Sequence, residues 1–431
     1  MRKSLEEVHR TIPFLPDFTW WRKVLAFTGP GYLVAVGYMD PGNWATDLAG
    51  GSKFGYGLLS VVILSGLMAM LLQHLSLKLG IATGKDLAQA CHDHYSPPVR
   101  RILWIMAEIA ITACDLAEVI GSAIALNLLF RLPIIIGVVV TAFDTLLLLY
   151  LQHKGLRYLE ALVITLITVI LSSFSLEIFL SHPVVGSIIA GIVPTAQLFS
   201  NHEMLYIAIG ILGATVMPHN LYLHSALVQS RNFGDTHLNK KDAIKYATLD
   251  SNIALTIATI VNALILIVSA ATFFTRGMSN IAEIQDAFHL LAPLLGTGIA
   301  STVFALALLA SGHNSTITGT LAGQVVMEGF VDIHLAPWQR RLITRLLAII
   351  PALAIVGLYG SHGLAQLLVF SQVVLSMQLP FAVIPLVLFT SEKKYMGRFA
   401  NSILLKTVSW ITAATITVLN IWLIMQVVAG I

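Results

Sequence analysis

Apolar runs of about 20 residues recur from one end of the chain to the other, and no other feature limits its fold as strongly. At 1.5 Å per residue, about 20 helical residues cross a hydrocarbon core of roughly 30 Å. The runs are continuous rather than alternating, which points to helices and away from a β-barrel. Charge agrees. Asp, Glu, Lys and Arg make up 11% of the 431 residues, 57% are hydrophobic, and mean hydropathy is +0.83, whereas a soluble domain carries about 25% charged residues. The sequence predicts an all-α integral membrane protein in contact with the lipid bilayer.

Eleven runs are recognised, near 24–46, 57–80, 102–130, 133–151, 159–180, 204–230, 251–274, 291–323, 342–360, 364–390 and 402–430. Several exceed the minimum length, which predicts tilt, breaks or helix projecting beyond the bilayer. The basic residues set the orientation. With the amino terminus inside, only Lys53, Arg131 and Arg276 of the 25 Lys and Arg fall outside. A miscounted span would scramble that asymmetry, so the expected topology is multi-pass in the cell membrane, N-terminus cytoplasmic and C-terminus outside. The expected organisation is a cytoplasmic segment 1–23, five-helix units at 24–180 and 204–390, and an eleventh helix at 402–431. The segment before Trp20 holds Arg2, Lys3, Glu6, Glu7, Arg10 and Asp17 and no apolar core, so no cleavable signal peptide is expected. Cys91, placed in a cytoplasmic loop, and Cys114, inside a helix, are not expected to form a disulfide.

Two spans are interrupted alike. Asp40-Pro41-Gly42-Asn43 lies in the first and Met217-Pro218-His219-Asn220 in the sixth. Five helices separate them, an odd number, so the two units have opposite orientation. Matched interruptions in inverted units point to a midplane transport site. Pro41 and Pro218 remove a backbone donor and clash with the preceding turn, and Gly42 weakens the helix further. The freed carbonyls survive in a membrane only when buried in protein or lining a wet cavity. A single proline kink would be structural. Two matched breaks, one with a carboxylate that costs at least about 2.5 kcal/mol at the bilayer centre, indicate a cation site. Asp40 and Asn43 offer hard oxygens and Met217 a thioether. Mg²⁺ and Ca²⁺ want oxygen alone, whereas sulfur suits softer divalent metals. Plain packing is the competing reading of Met217.

Glu108, Asp115 and Glu118 fall in the third span at offsets that put them on one helix face, extended by Ser122. Acids at that spacing must face the bundle interior or water. They read either as a proton route or as a static network with Arg345, which lies in the membrane or snorkels to its surface. His219 is either a titrating switch or a satisfied core histidine. His92-Asp93-His94 has the residue types of a small metal site, but it precedes Pro97-Pro98 and reads as solvated loop. His74, Asp144, Asp250 and Asn262 carry no motif, so helix–helix hydrogen bonding is expected of them.

Taken together, the two breaks resemble the paired signatures of the Nramp family of divalent-metal transporters. So do Asp115-Leu116-Ala117-Glu118-Val119-Ile120-Gly121, Gly319-Thr320-Leu321-Ala322-Gly323-Gln324 with Met327-Glu328-Gly329-Phe330, and Ser371-Gln372-Val373-Val374-Leu375-Ser376 with Gln378-Leu379-Pro380-Phe381. The resemblance covers nearly the whole chain. It implies a LeuT-type fold of 5+5 inverted repeats with helices 1 and 6 broken. It also implies proton-coupled symport of Mn²⁺, Fe²⁺ and similar ions such as Cd²⁺ by alternating access, with no resident cofactor. The implied metal ligands are Asp40, Asn43, Met217 and the backbone carbonyl of Ala214. A tenth-span glutamine joins them, Gln372 as first choice and Gln378 as second. The implied proton route runs from Asp40 and His219 to Asp115 and Glu118, then to Arg345 and Arg341. One departure is His313-Asn314, where the family more often has Gln-Ser; it lies off the metal motif.

Three other classes compete. A sodium-coupled carrier of small organic substrates would present helix N-termini to a substrate carboxylate, a space the anionic Asp40 fills. A membrane enzyme would show catalytic clusters at an aqueous face, and only His92-Asp93-His94 comes close. A passive metal channel differs in flux rather than in residues. No phosphate loop, nucleophile motif or nucleic-acid patch is present, and no sequence signal sets an oligomeric state.

Overall fold

In a computed structural model, residues 4–278, 283–331, 337–359 and 363–429 are described, without the side chains of 144–153, 337, 338, 340, 341, 344, 345, 358, 359 and 427–429. The chain is almost wholly helical. α1 (Trp20–Phe27), α2 (Pro30–Ala35) and α3 (Pro41–Phe54) occupy the first expected span. α4 (Leu59–Thr83), α5 (Leu87–His94), α6 (Pro97–Phe130), α7 (Ile134–Lys154) and α8 (Leu156–Ser181) follow. Short α9 (Val185–Gly191) and α10 (Gln197–Ser200) lead into α11 (His202–Val216) and α12 (Pro218–Leu227), the two halves of the sixth span. Then come α13 (His237–Thr272), α14 (Ile284–Leu295), α15 (Gly298–Val331), α16 (Pro337–Tyr359), α17 (Leu364–Ser391), α18 (Lys393–Met396) and α19 (Ile403–Ala429). Among the described residues the strands are β1 (Ile12–Pro13) and β2 (Arg231–Asn232), paired in parallel with Ile12 opposite Arg231.

Seven described helical segments are long and apolar enough to cross a membrane. The difference from eleven has physical causes. Pro41–Thr83 counts once but serves two spans, because a 3-10 turn at Gly55–Leu58 joins α3 to α4 without a gap. α7 and α16 contribute shorter apolar stretches, Ile134–Phe143 and Leu346–Gly357. α15 is diluted by Gly, Ser, Thr, His and Asn, and it packs its glycines against α6: Gly312 faces Ser122, and Gly319 faces Asp115 and Glu118. Small residues let such helices approach closely.

Two boundaries depart from expectation. The eighth span starts at Gly298 rather than near 291, because Gly296 adopts φ +73 and ends a separate helix, α14. Glycine takes that left-handed conformation without a steric penalty. Cys91 lies on the buried side of a helix, α5, rather than in a loop; Asp86 caps it through a reciprocal capping box with Gln89. Both cysteines are buried and free.

The α11–α12 pair forms the centre of the bundle and is almost entirely buried, whereas α8 and α19 sit at the periphery with most of their length uncovered by protein. The interrupted sixth span is therefore surrounded by protein, the condition under which a membrane helix tolerates a break.

Candidate metal-binding site at two helix breaks

Each break follows from its proline. Proline has no N–H to return to the carbonyl four residues earlier, so Pro41 abandons Gly37 and Pro218 abandons Ala214. At the first break, Gly37–Met39 tightens into a 3-10 turn and Asp40 turns out to an extended conformation as the N-cap of α3. Its Oδ1 accepts the Asn43 N–H at 2.8 Å. At the second, Met217 joins α11 to α12 in a non-helical conformation. Asp40, Asn43, Ala214 and Met217 are all fully buried.

The carbonyls around the first break find partners on neighbouring helices. Val34 O accepts from Asn220 Nδ2 at 3.4 Å, Tyr38 O from Asn262 Nδ2 at 2.9 Å, and Met39 O from Ser311 Oγ at 2.5 Å. The Tyr38 hydroxyl accepts from Gln73 Nε2 at 2.6 Å, and Gln73 Oε1 meets His224 Nδ1 at 2.9 Å. The side chains of Asn220, Asn262 and Ser311, from α12, α13 and α15, replace hydrogen bonds that the helix gives up.

The two breaks touch. Gly37 has no room for a side chain, because a Cβ there would fall 2.4 Å from Asn220 Nδ2 and 3.3 Å from Met217 Sδ. Gln372 of α17 lies against Gly42, and its backbone carbonyl lies against Gly213 of α11. The structure thus brings together Asp40, Asn43, Met217, Gln372 and the last turn of α11, which carries Ala214. Gln378 lies two turns farther along, buried beside Tyr222 of α12, so Gln372 is the glutamine at the breaks. Two acceptors here, Asn43 Oδ1 and Gln372 Oε1, are buried with no hydrogen-bond partner among the described residues. Oxygen lone pairs left without donors beside a carboxylate and a thioether suit a divalent cation.

The acids of α6 divide. Asp115 and Glu118 are buried and face Gly319 of α15. Glu118 connects to the first break through Cys114, whose Sγ lies 3.6 Å from Glu118 Oε1 and 3.8 Å from Asp40 Oδ2. Glu108 does not share their surroundings. It is half-buried in a groove with Ile105, Ile109, Leu347 and Pro351, and it accepts from Trp104 Nε1 at 3.1 Å. Equal spacing on one helix did not give an equal environment, because α16 covers that end of α6 and α15 the other. His219 is buried, and neither ring nitrogen has a partner among the described residues. The side chains of Arg341, Arg345 and Asp144 lie outside the described residues.

The other polar candidates settle differently. His92, Asp93 and His94 diverge to Arg100, Lys85 and Tyr395. His74 pairs with Thr248 of α13. Asp250 accepts the N–H groups of Gly29 and Gly31 at 3.2 and 2.7 Å, which anchors the start of α2. Sequence reasoning missed the ion pairs at the same place. Arg231 Nη1 bonds Glu160 Oε1 at 2.7 Å, and Arg157 Nη1 bonds Glu160 Oε2 at 3.0 Å. Both arginines also donate to the carbonyls of Ala26 and Thr28. Burial pushes the Arg231 guanidinium below its usual range, and Glu160 beside it pulls the other way. It missed Asp47 and Glu177 too, both buried with no carboxylate partner among the described residues.

Comparison with known proteins places this geometry. The family profile described as natural resistance-associated macrophage protein-like (Nramp) matches residues 31–426. The chain is 59% identical to the divalent metal cation transporter MntH of Nostoc sp., over 100% of this chain and 97% of that protein. It is 59% identical to MntH of Listeria monocytogenes over 98% and 94%. A crystal structure of the Eremococcus coleocola manganese transporter superposes with TM-score 0.90 at 43% identity, covering 97% of this chain and 90% of that one. A nucleobase-cation-symport-1 family transporter shares the fold, with TM-score 0.63 at 15% identity over 92% and 90%.

Proposed function

The chain belongs to the Nramp family, and we propose that it imports divalent transition-metal ions, Mn²⁺ and Fe²⁺ foremost and Cd²⁺ among the softer ones, into the cytoplasm together with protons. The observation that carries this reading is the buried Asp40 carboxylate at a helix break, with Asn43 Oδ1 unpartnered among the described residues and Gly37 of the same break lying against Met217 of the second. An anionic oxygen, a neutral oxygen acceptor and a thioether make a cation site with a soft component. The names of the relatives, divalent metal cation transporter and manganese transporter, point the same way. In this reading Asp40, Asn43, Met217, the Ala214 carbonyl and Gln372 hold the metal. The basic side of the bundle is cytoplasmic, by the asymmetry of Lys and Arg.

For the proton we assign the line that leaves the first break through Cys114 to Glu118 and Asp115, continuing to Arg345 and Arg341, with His219 as a side group on the second break. Acids buried in a membrane bundle are expensive, and relaying protons is a use that justifies them. The metal and the proton would then share Asp40.

The test is Mn²⁺ uptake into proteoliposomes with and without an inward proton gradient. Uptake against a Mn²⁺ gradient, driven by acid outside, supports the proposal. Uptake that only runs downhill identifies a channel, uptake indifferent to protons removes the coupling, and no uptake of any divalent metal removes the site.

A further inference from the structure

Cys114 sits on α6 between the candidate metal carboxylate and the candidate proton carboxylate. It is 1% exposed and packs in one cluster with Met217, Ala110 and Leu375. Its Sγ is 3.8 Å from Asp40 Oδ2 and 3.6 Å from Glu118 Oε1. A thiol has one hydrogen and donates to one carboxylate at a time. Metal ligation takes the thiolate, so on binding the proton passes to Glu118 Oε1, 3.6 Å away, and leaves the sulfur lone pairs to the side of Asp40 and the ion.

The spacing is that of two ligands on one ion. An oxygen at about 2.1 Å and a sulfur at about 2.3 Å from one ion stand roughly 3.1 Å apart at a right angle and about 4.4 Å apart in line, and 3.8 Å falls between. A second observation marks the same helix start as a ligand site: the buried Asn43 Oδ1 has no hydrogen-bond partner among the described residues, while the Asn43 N–H holds the other oxygen of Asp40. We propose that Cys114 is a second sulfur of the metal site and a determinant of specificity, favouring thiophilic divalent ions such as Cd²⁺ over Mn²⁺. The inference rests on Asp40 as a metal ligand. With Met217 alone the site would be oxygen-dominated and only mildly soft. With both sulfurs it would hold soft ions more tightly, because sulfur donors discriminate by ligand type rather than by charge.

The experiment compares Cd²⁺ and Mn²⁺ binding by calorimetry, and competition of Cd²⁺ with Mn²⁺ uptake, in the parent chain, Cys114→Ser and Cys114→Thr. Serine keeps a hydrogen-bonding group of similar size but presents a hard oxygen. The expected result is a fall of about tenfold in the affinity for Cd²⁺ relative to Mn²⁺ in both variants. A thiol that only fills space between α3 and α6 would change both metals together or neither, and a constant Cd²⁺-to-Mn²⁺ ratio overturns the proposal. Failure of the underlying site looks different, since the parent chain would then bind neither metal, or Asp40→Ala would bind both as the parent does. If one variant does not fold, the other supplies the ratio, and competition in a Cys91→Ala chain by a small methanethiosulfonate reagent supplies a second readout. Cd²⁺ should protect Cys114 from that reagent at concentrations where Mn²⁺ protects less. Equal protection by the two ions counts against the proposal.

Discussion

Gln372 of α17 lies so close over Gly42 of α3 that a Cβ on Gly42 would fall 1.8 Å from its Nε2. Gly42 is helical, so the glycine is there for space rather than for an unusual backbone. This contact ties the tenth span to the first break and sets where the glutamine amide can go.

Gly42→Ala should therefore move the Gln372 amide away from the site. The displaced group is the end of a flexible side chain, so the stability loss should be modest, about 1 kcal/mol. Mn²⁺ affinity should fall by about tenfold or more. Thermal unfolding in detergent beside calorimetric Mn²⁺ binding separates the two effects. Unchanged affinity would show that Gln372 takes no part.

Arg231 and Glu160 form a buried ion pair that holds the segment before α2. Removing one partner of such a pair leaves an uncompensated buried charge, at about 3–5 kcal/mol. Arg231→Met should lower stability by less than that amount, because Arg157 stays paired with Glu160. Adding Glu160→Leu should restore part of the loss. If the double variant melts below the single one, the pair acts through its backbone contacts rather than through its charges.

Met217→Ala separates selectivity from binding. Mn²⁺ is already suited by oxygen, so its affinity should drop modestly, Cd²⁺ should drop most, and Ca²⁺ or Mg²⁺ should begin to compete. Competition of Ca²⁺ against Mn²⁺ uptake reads this directly. Were Met217 merely packing, all metals would lose uptake together with their ratios preserved.

Glu118→Gln should slow or uncouple proton movement more than it weakens metal binding, because Glu118 lies on α6 behind Cys114 rather than in the breaks. The comparison is pH-dependent uptake against Mn²⁺ affinity. Lost binding with normal proton flux would reverse the roles assigned to the two carboxylates.

The breaks at Pro41 and Pro218 were legible in the sequence because a missing N–H acts locally, on a carbonyl four residues away. The acids at Asp115 and Glu118 were legible because charge is rare in such a chain. Other features depend on distant partners and leave no local trace. Arg231 and Glu160 are 71 residues apart, and nothing periodic links them. The apolar run at 291–323 reads straight through Gly296, whose left-handed φ ends α14. Glu108 was grouped with Asp115 by helical spacing, yet it meets α16 rather than α15. Cys114 precedes Asp115 and lies four residues before Glu118, a spacing that places it beside the second acid; its approach to Asp40 became visible only with the fold.

The central claim is that a divalent metal binds where the two broken helices meet, with Asp40 as its charged ligand. Titrating Mn²⁺ into the purified protein and into Asp40→Ala, with folding checked by size-exclusion profile and thermal melting, tests it most directly. The account predicts saturable binding of one Mn²⁺ per chain to the parent and no measurable heat in the variant, which stays folded. Binding of Mn²⁺ to Asp40→Ala with the parent's affinity would contradict it.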